Sequence, residues 1–314
     1  MTLLSYQVFK TVAEMGSFRK AADILGLTPS AISHTISAME KELGFSLLNR
    51  SKSGVTMTNY GEQLMPYVNA VLNSDESLQQ VVAEFKGLKQ GTVKVGCFAS
   101  VCTNFMPSVI TSFREQYPAI EIEVFQGTYD DVVYWIRNGI VDFGFLSASS
   151  AGDLYIEPFY RDPLLCIVPG DYEKKEDAGM VSSREEKLGG GKAKNARERH
   201  TDVMTIKEMA EMQFVVQRES TDADIQNYLK ENHLDIQTRY HVVDDLSTVA
   251  LVESGFGICI MPELTMRDIP YKVRRYRMEP DAFRMIGLAA LNPELMAPAV
   301  RTLYRYILEK YRNI

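Results

Sequence analysis

The chain has 314 residues, a formal net charge of −7, 46% hydrophobic and 24% charged residues. That is globular composition with room for two or three domains, and it excludes a disordered or fibrous chain. No apolar run approaches the roughly 20 residues of a spanning helix, and MTLLSYQVFKTVAEMGSF has no basic-then-apolar leader pattern, so a soluble, cytoplasmic protein without membrane contact is expected.

LLSYQVFKTVAEMG forms a first helix with Val8, Phe9, Val12 and Ala13 on one side and a stop at Gly16. Ser17 caps a second helix, SFRKAADILG, with Phe18, Ala21, Ala22 and Leu25 inward and Gly26 at its end. Thr28 caps a third, with Pro29 in its first turn, where the missing N–H costs nothing. Ile32, Ile36, Met39 and Leu43 make its apolar side, and Gly44 closes it. Two short helices joined by a tight Gly turn are the helix-turn-helix pattern. FSLLNRSKSGVTMTNYG then supplies two short extended pieces around SKSG, which is a wing.

The remaining side of the third helix carries Ser30, Ser33, His34 and Ser37. Small hydroxyls let a helix backbone approach base edges, and Ser or His can donate to or accept from them. Arg19, Arg50 and Lys52 are placed for phosphates. The bland alternative is a solvated polar face. Charge favours DNA: residues 1–58 carry Lys10, Arg19, Lys20, Lys41, Arg50 and Lys52 against Glu14, Asp23, Glu40 and Glu42, so the head is mildly basic while the rest is acidic. Candidate DNA-binding residues are therefore Ser17, Arg19, Thr28, Pro29, Ser30, Ser33, His34, Ser37, Arg50 and Lys52.

Within this stretch GSFRKAADILGLTPSAISHTISAMEKELGFSLLNR, followed by Val55-x-x-Thr58-x-x-Gly61, resembles the N-terminal winged helix-turn-helix of LysR-type transcriptional regulators. The match runs through Gly16-Ser17-Phe18, Ala21-Ala22, Leu25, Pro29 to Ser33, Glu40, Leu43-Gly44, Leu47-Leu48 and Arg50. Thr35, Ser37 and Lys52-Ser53 depart from it, where the family often carries Arg or Lys, which implies weaker phosphate attraction and more reliance on dimer avidity.

TNYGEQLMPYVNAVLNSDESLQQVVAEFKGLKQG reads as one long helix, with Pro66 near its start. Leu64, Val68, Val71, Leu78, Val82 and Phe85 recur at near-heptad spacing, interrupted by Asp75, which argues for a coiled-coil dimer seam. The competing reading is a helix lying on its own domain. The resemblance implies a dimerising linker, commonly within a tetramer. Two heads on a dimer would read half-sites about 34 Å apart or a multiple of it, an interrupted palindrome.

From GTVKVGCFAS the period changes. TVKVGCF, IEIEVFQG and VDFGFLS alternate with helices NFMPSVITSFREQYP and YDDVVYWIRNG, a β-α-β series with a parallel sheet. A second series runs through QFVVQRES, DADIQNYLKENHL, TRYHVV, DLSTVALVESG and FGICIMP. RMIGLAAL and APAVRTLYRYILEKY return to the first unit. The expected fold class is α/β with an N-terminal all-α winged helix-turn-helix and a long linker helix. The resemblance makes the body a two-lobed effector-binding domain like periplasmic binding proteins. Expected boundaries are 1–58 for the head, 59–90 for the linker and 91–314 for the body. Lobe 1 covers about 91–164 and 267–314; lobe 2 covers about 165–266, with a charged, glycine-containing mobile insertion at 171–202.

Ligands of open α/β sheets sit beyond the carboxyl ends of the strands. That selects Ser100, Val101, Cys102, Thr103, Gly127, Thr128 and Ser147 in lobe 1, and Ser220 and Thr221 in lobe 2. Their hydroxyls and N–H groups suit an organic acid or other oxyanion, although helix capping is the commoner task of Ser and Thr. Cys97, Cys102, Cys166 and Cys259 are scattered, without zinc spacing or a disulfide framework. Three are expected as buried small hydrophobes, while Cys102 is a candidate pocket thiol. No cofactor or metal is expected. An α/β enzyme with an appended helical domain is the alternative, but G-x-S-x-G, G-x-x-x-x-G-K-[ST] and H-E-x-x-H are all missing. A transport-type binding protein would leave the head unexplained.

Overall fold

The computed structural model describes residues 1–51, 54–87, 90–174, 203–217, 223–234, 236, 240–242 and 244–311. The head consists of α1 (Leu3–Met15), α2 (Phe18–Leu25) and α3 (Pro29–Leu43), then an antiparallel hairpin of β1 (Leu48–Ser51) and β2 (Gly54–Met57). Ser17 and Thr28 cap α2 and α3 through their hydroxyls, and Gly16, Gly26 and Gly44 take left-handed conformations after the three helices. Val8, Phe9, Val12, Ala21, Ile32, Ile36 and Leu47 have no solvent contact and form one cluster. Burying Ile32 and Ile36 fixes which side of α3 faces outward. The wing is tied down twice: Val55 N donates to Gly16 O at 3.0 Å, and Glu40 Oε1 accepts from Leu47 N at 2.7 Å and Leu48 N at 3.2 Å.

The linker is α4 (Asn59–Phe85), 27 residues and roughly 40 Å long, continuous through Pro66. Its two ends differ. Leu64 and Val68 are absorbed by the hydrophobic cluster of the head and are not part of an outward seam, which corrects that part of the sequence expectation. Val71, Leu78, Val82 and Phe85 stay exposed, Phe85 at 84%. Another flank lies on lobe 1: Asn69 Nδ2 donates to Asn138 O (2.8 Å), Asn73 Nδ2 donates to Gly139 O (2.9 Å), and Gln80 Oε1 accepts from Ala299 N (3.2 Å). The helix therefore lies on its own domain along one flank and presents an exposed apolar strip along another.

The body runs β3 (Gly91–Cys97), α5 (Ala99–Asn104), α6 (Met106–Gln116), β4 (Ile120–Gln126), α7 (Tyr129–Arg137), β5 (Phe143–Ser147) and β6 (Tyr155–Pro169). It continues with β7 (Val203–Thr205), α8 (Ile206–Ala210), β8 (Val216–Gln217), α9 (Ala223–Glu231), β9 (His241–Val242), α10 (Asp245–Glu253) and β10 (Cys259–Pro262). The last elements are β11 (Val273–Glu279), β12 (Phe283–Ala290) and α11 (Pro298–Tyr311). The main sheet has the order β4-β3-β5-β12-β6-β11-β7, with β10 also on β6. β3 is parallel to β4 and β5, as expected of the β-α-β series.

β6 belongs to both lobes. Residues 155–163 pair with β12, whereas 164–169 pair with β10 and β11. The sequence pattern hides this strand, since prolines such as Pro158 and Pro163 inside a run argue against one. Both prolines sit where the ladder is already broken. Pro158 adjoins the register shift opposite Ile286 and Gly287, and Pro163 marks the change of partner. β11 pairs with β6 and β7 in lobe 2. The return to lobe 1 thus falls between Glu279 and Phe283, not near 267, which corrects the expected boundary. Most of the 171–202 insertion lies outside the described residues.

Asp142, just before β5, accepts Lys94 N at 2.7 Å. Burial pushes its carboxyl up to about 6, opposed by the Lys94 N–H and ammonium and reinforced by Glu76 and Glu123. An Asp in an unfolded chain titrates near 3.9. Between these values the folded state holds a proton that the unfolded state has lost, so this site's contribution to stability grows as pH falls from about 6 to about 4. Asp142→Asn keeps an acceptor for Lys94 and removes the charge. It should stabilise the protein by about 2 kcal/mol at pH 8 and hardly at all near pH 4, by denaturant titration at both pH values.

Candidate nucleic-acid interface and effector cleft

α3 begins at Thr28 and Pro29 and shows Ser30, His34 and Ser37 to solvent; Ser33 is half-buried. Arg19 and Lys20, in the first turn of α2, are exposed beside Ser17. The wing packs on the α1–α2 turn, Val55 N donating to Gly16 O just before Ser17. Lys52 lies outside the described residues.

Arg50 is placed differently from the phosphate role expected of it. Its Nη1 donates to Ser33 Oγ (3.3 Å) and its Nη2 to Ser37 Oγ (3.5 Å), with Glu40 Oε2 at 3.9 Å. Its guanidinium lies 4.7 Å from the Phe18 ring centroid. One wing residue thus holds α3 and touches α2.

In the body, the carboxyl ends of β4, β3 and β5 are neighbours at one edge, with Thr128 and Ser100 just beyond the first two and Ser147 ending β5. Thr128 caps α7 and bonds to Asp131 Oδ2 at 2.7 Å. Thr103 is exposed, though its hydroxyl donates to Ala99 O. Ser100 is buried and accepts from Arg284 Nη2 at 2.8 Å. Val101 has no solvent contact and belongs to the lobe-1 core, so it does not line a cleft. Cys102 is on α5 rather than in a loop, half-buried and next to buried Cys97, whose thiol is pushed up by burial and then by Cys102. Ser147 is buried, 3.2 Å from Ser149 Oγ, which donates to Asp224 Oδ1 of lobe 2 at 2.7 Å. Ser220 and Thr221 lie outside the described residues.

At the crossing between the lobes lies a network the sequence reading missed. Arg284 of β12 donates through Nε to Asp162 Oδ2 (2.8 Å), through Nη1 to Tyr129 OH (3.0 Å), and through Nη2 to Ser100. Asp162 Oδ1 accepts Leu264 N at 2.9 Å, where the chain leaves β10. Asp162 has no solvent contact and Arg284 only 3% exposure. A buried guanidinium and carboxylate joined in this way tie the start of α5 to both crossing segments. The available signal was a charge inside each of two apolar strand sequences, FYRDPLLCIV and FRMIGLAAL.

A winged helix-turn-helix with an outward recognition face, a long helix, and a two-lobed body define a DNA-binding transcriptional regulator with an effector-binding domain. A family model described as a bacterial regulatory helix-turn-helix protein, lysR family, matches residues 3–62, and the LysR substrate binding domain matches residues 86–312. The chain belongs to the LysR family. It is 27% identical over 292 residues to YvbU, an uncharacterized HTH-type transcriptional regulator of Bacillus subtilis, covering 92% of this chain and 91% of the other. A full-length OxyR variant from Pseudomonas aeruginosa shares the fold with a TM-score of 0.71 and 18% identity, over 99% of this chain and 98% of that one. Full-length CbnR complexed with its target DNA superposes with a TM-score of 0.63 at 16% identity, over 99% and 100% of the two chains. Family and relatives are transcriptional regulators, which sets aside the α/β-enzyme alternative.

Proposed function

We propose that the amino-terminal half of α3 enters the major groove of double-stranded DNA and that an effector held between the lobes governs when it does so. The observation that carries this reading is the division of α3 into a side buried under α1 and α2 and an outward side of Ser30, Ser33, His34 and Ser37. These four face base edges. Ser17, Thr28 and Pro29 open the helices that approach the duplex, and Arg19 and Lys52 serve phosphates. Binding to the DNA upstream of its own gene should weaken by a large factor between 50 and 200 mM salt, since phosphate contacts release counterions. Affinity indifferent to salt and to DNA sequence would sink the reading.

Val71, Leu78, Val82 and Phe85 dimerise the chain along α4. Support comes from their exposure, Leu78 at 62%, on a helix whose other side is occupied. Paired heads then read an interrupted palindrome, and dimers associate further into tetramers. Replacing Leu78 and Phe85 together by Glu should turn the oligomer into monomers in sedimentation velocity and lower operator affinity about 100-fold, the loss of avidity. An unchanged sedimentation coefficient would place the dimer elsewhere.

The effector is a small organic acid or other oxyanion, a choice supported by the start of α5 beyond the end of β3, where the backbone N–H groups of the first turn have no side-chain cap. No described helix is long and apolar enough to cross a membrane. With genomic DNA as its partner, the protein works in the cytoplasm.

A further inference from the structure

Arg cannot accept a hydrogen bond, so when Arg50 meets Ser33 and Ser37 both hydroxyl oxygens act as acceptors. Each serine then keeps one hydroxyl hydrogen. In helices that hydrogen commonly goes back to the carbonyl four residues earlier, as Thr35 Oγ1 does to Ala31 O at 2.9 Å. Among the described residues nothing takes the hydrogen of Ser33 or Ser37. Both serines lie on the outward side of α3. Arg50 is itself restrained by the Phe18 ring and by Glu40, which also grips Leu47 and Leu48 at the start of the wing.

We infer that Arg50 is a positioning residue that fixes the hydrogen-bond polarity of Ser33 and Ser37, so that both serines donate to the duplex and select base-edge acceptors. The acceptors available in the major groove are purine N7, guanine O6 and thymine O4. The amino groups of adenine and cytosine present donors there and are disfavoured at these positions: each serine oxygen keeps a second lone pair, but the Arg50 guanidinium beside it repels a further donor. An unrestrained serine would accept from or donate to either kind. This inference rests on the groove reading of α3, and it moves Arg50 from phosphate binding to specificity.

The test uses the full-length protein and a duplex obtained from a random pool by repeated selection for binding. Each acceptor in the selected half-site is then deleted in turn: N7 with 7-deazapurines, O6 with 2-aminopurine, O4 with 5-methyl-2-pyrimidinone. At one position at least, deletion should weaken wild-type binding about tenfold and cost Ser33→Ala nothing further. Arg50→Lys keeps the positive charge but lacks the planar fork. It should reduce that tenfold discrimination to nearly none while leaving the slope of log affinity against log salt unchanged. The inference is overturned if no acceptor deletion couples to Ser33, or if Arg50→Lys retains the discrimination. It is equally overturned if Arg50→Met lowers the salt slope by about one with discrimination intact, because Arg50 would then be a phosphate ligand. A pool yielding no bound duplex would instead remove the DNA reading itself.

Discussion

Ser30→Glu should abolish operator binding, by at least about 100-fold in a mobility-shift or polarisation titration, without lowering the melting temperature. The two effects separate because Ser30 lies in the first turn of α3 and is exposed. A carboxylate there meets the positive end of the helix dipole, which stabilises by about 0.3–1 kcal/mol. The same carboxylate would face the phosphates of a duplex in the groove. Like-charge juxtaposition at an interface costs several kcal/mol, and about 2.7 kcal/mol is already a hundredfold. Normal melting with undiminished binding would show that the outward side of α3 does not meet DNA. Lost binding with a lowered melting temperature would instead mean a damaged head.

Arg284→Met should be the most destabilising single change in the body. It leaves Asp162, which has no solvent contact, without its counter-charge, and strands the hydrogen bonds of Ser100 and Tyr129. Breaking a buried ion pair from one side costs about 3–5 kcal/mol. For a domain of this size that is roughly 10 °C in melting temperature. The double variant Arg284→Met with Asp162→Leu should recover most of the loss, since a packed apolar pair removes the uncompensated charge. Calorimetry of both variants decides the matter: a single variant as stable as wild type, or a double variant no better than the single, would rule out the charge argument. Effector response should be lost in both, because Ser100 has lost its tether at the start of α5.

The head was legible almost residue by residue because its stops are local. Thr28 with Pro29, Ser17, and the glycines at 16, 26 and 44 need only their neighbours to act as caps and turns. The parallel strands of lobe 1 were legible for the same reason, through period and punctuation. What escaped depends on contacts distant in sequence. β6 reads poorly because its two internal prolines acquire meaning only from partners more than a hundred residues away. Arg284 and Asp162 are 122 positions apart, and neither announces its partner. Leu64 and Val68 fit a heptad as well as Leu78 does; only the packed head shows that their surface is already taken. Arg50 was assigned by residue type to phosphates, and its bonds to Ser33 and Ser37 of α3 depend on a fold that sets the wing beside that helix.

The amide contacts of α4 have a mechanical consequence. Asn69, Asn73 and Gln80 fasten one stretch of the helix to lobe 1, while Leu64 and Val68 fasten its beginning to the head. The 27-residue rod is thus a lever roughly 40 Å long. A tilt of about 10° at the lobe end swings the far tip by about 7 Å, close to two base-pair steps along a duplex. A rearrangement around a small molecule in the body, too slight to disturb either lobe's packing, is therefore enough to take a recognition helix out of register with its half-site.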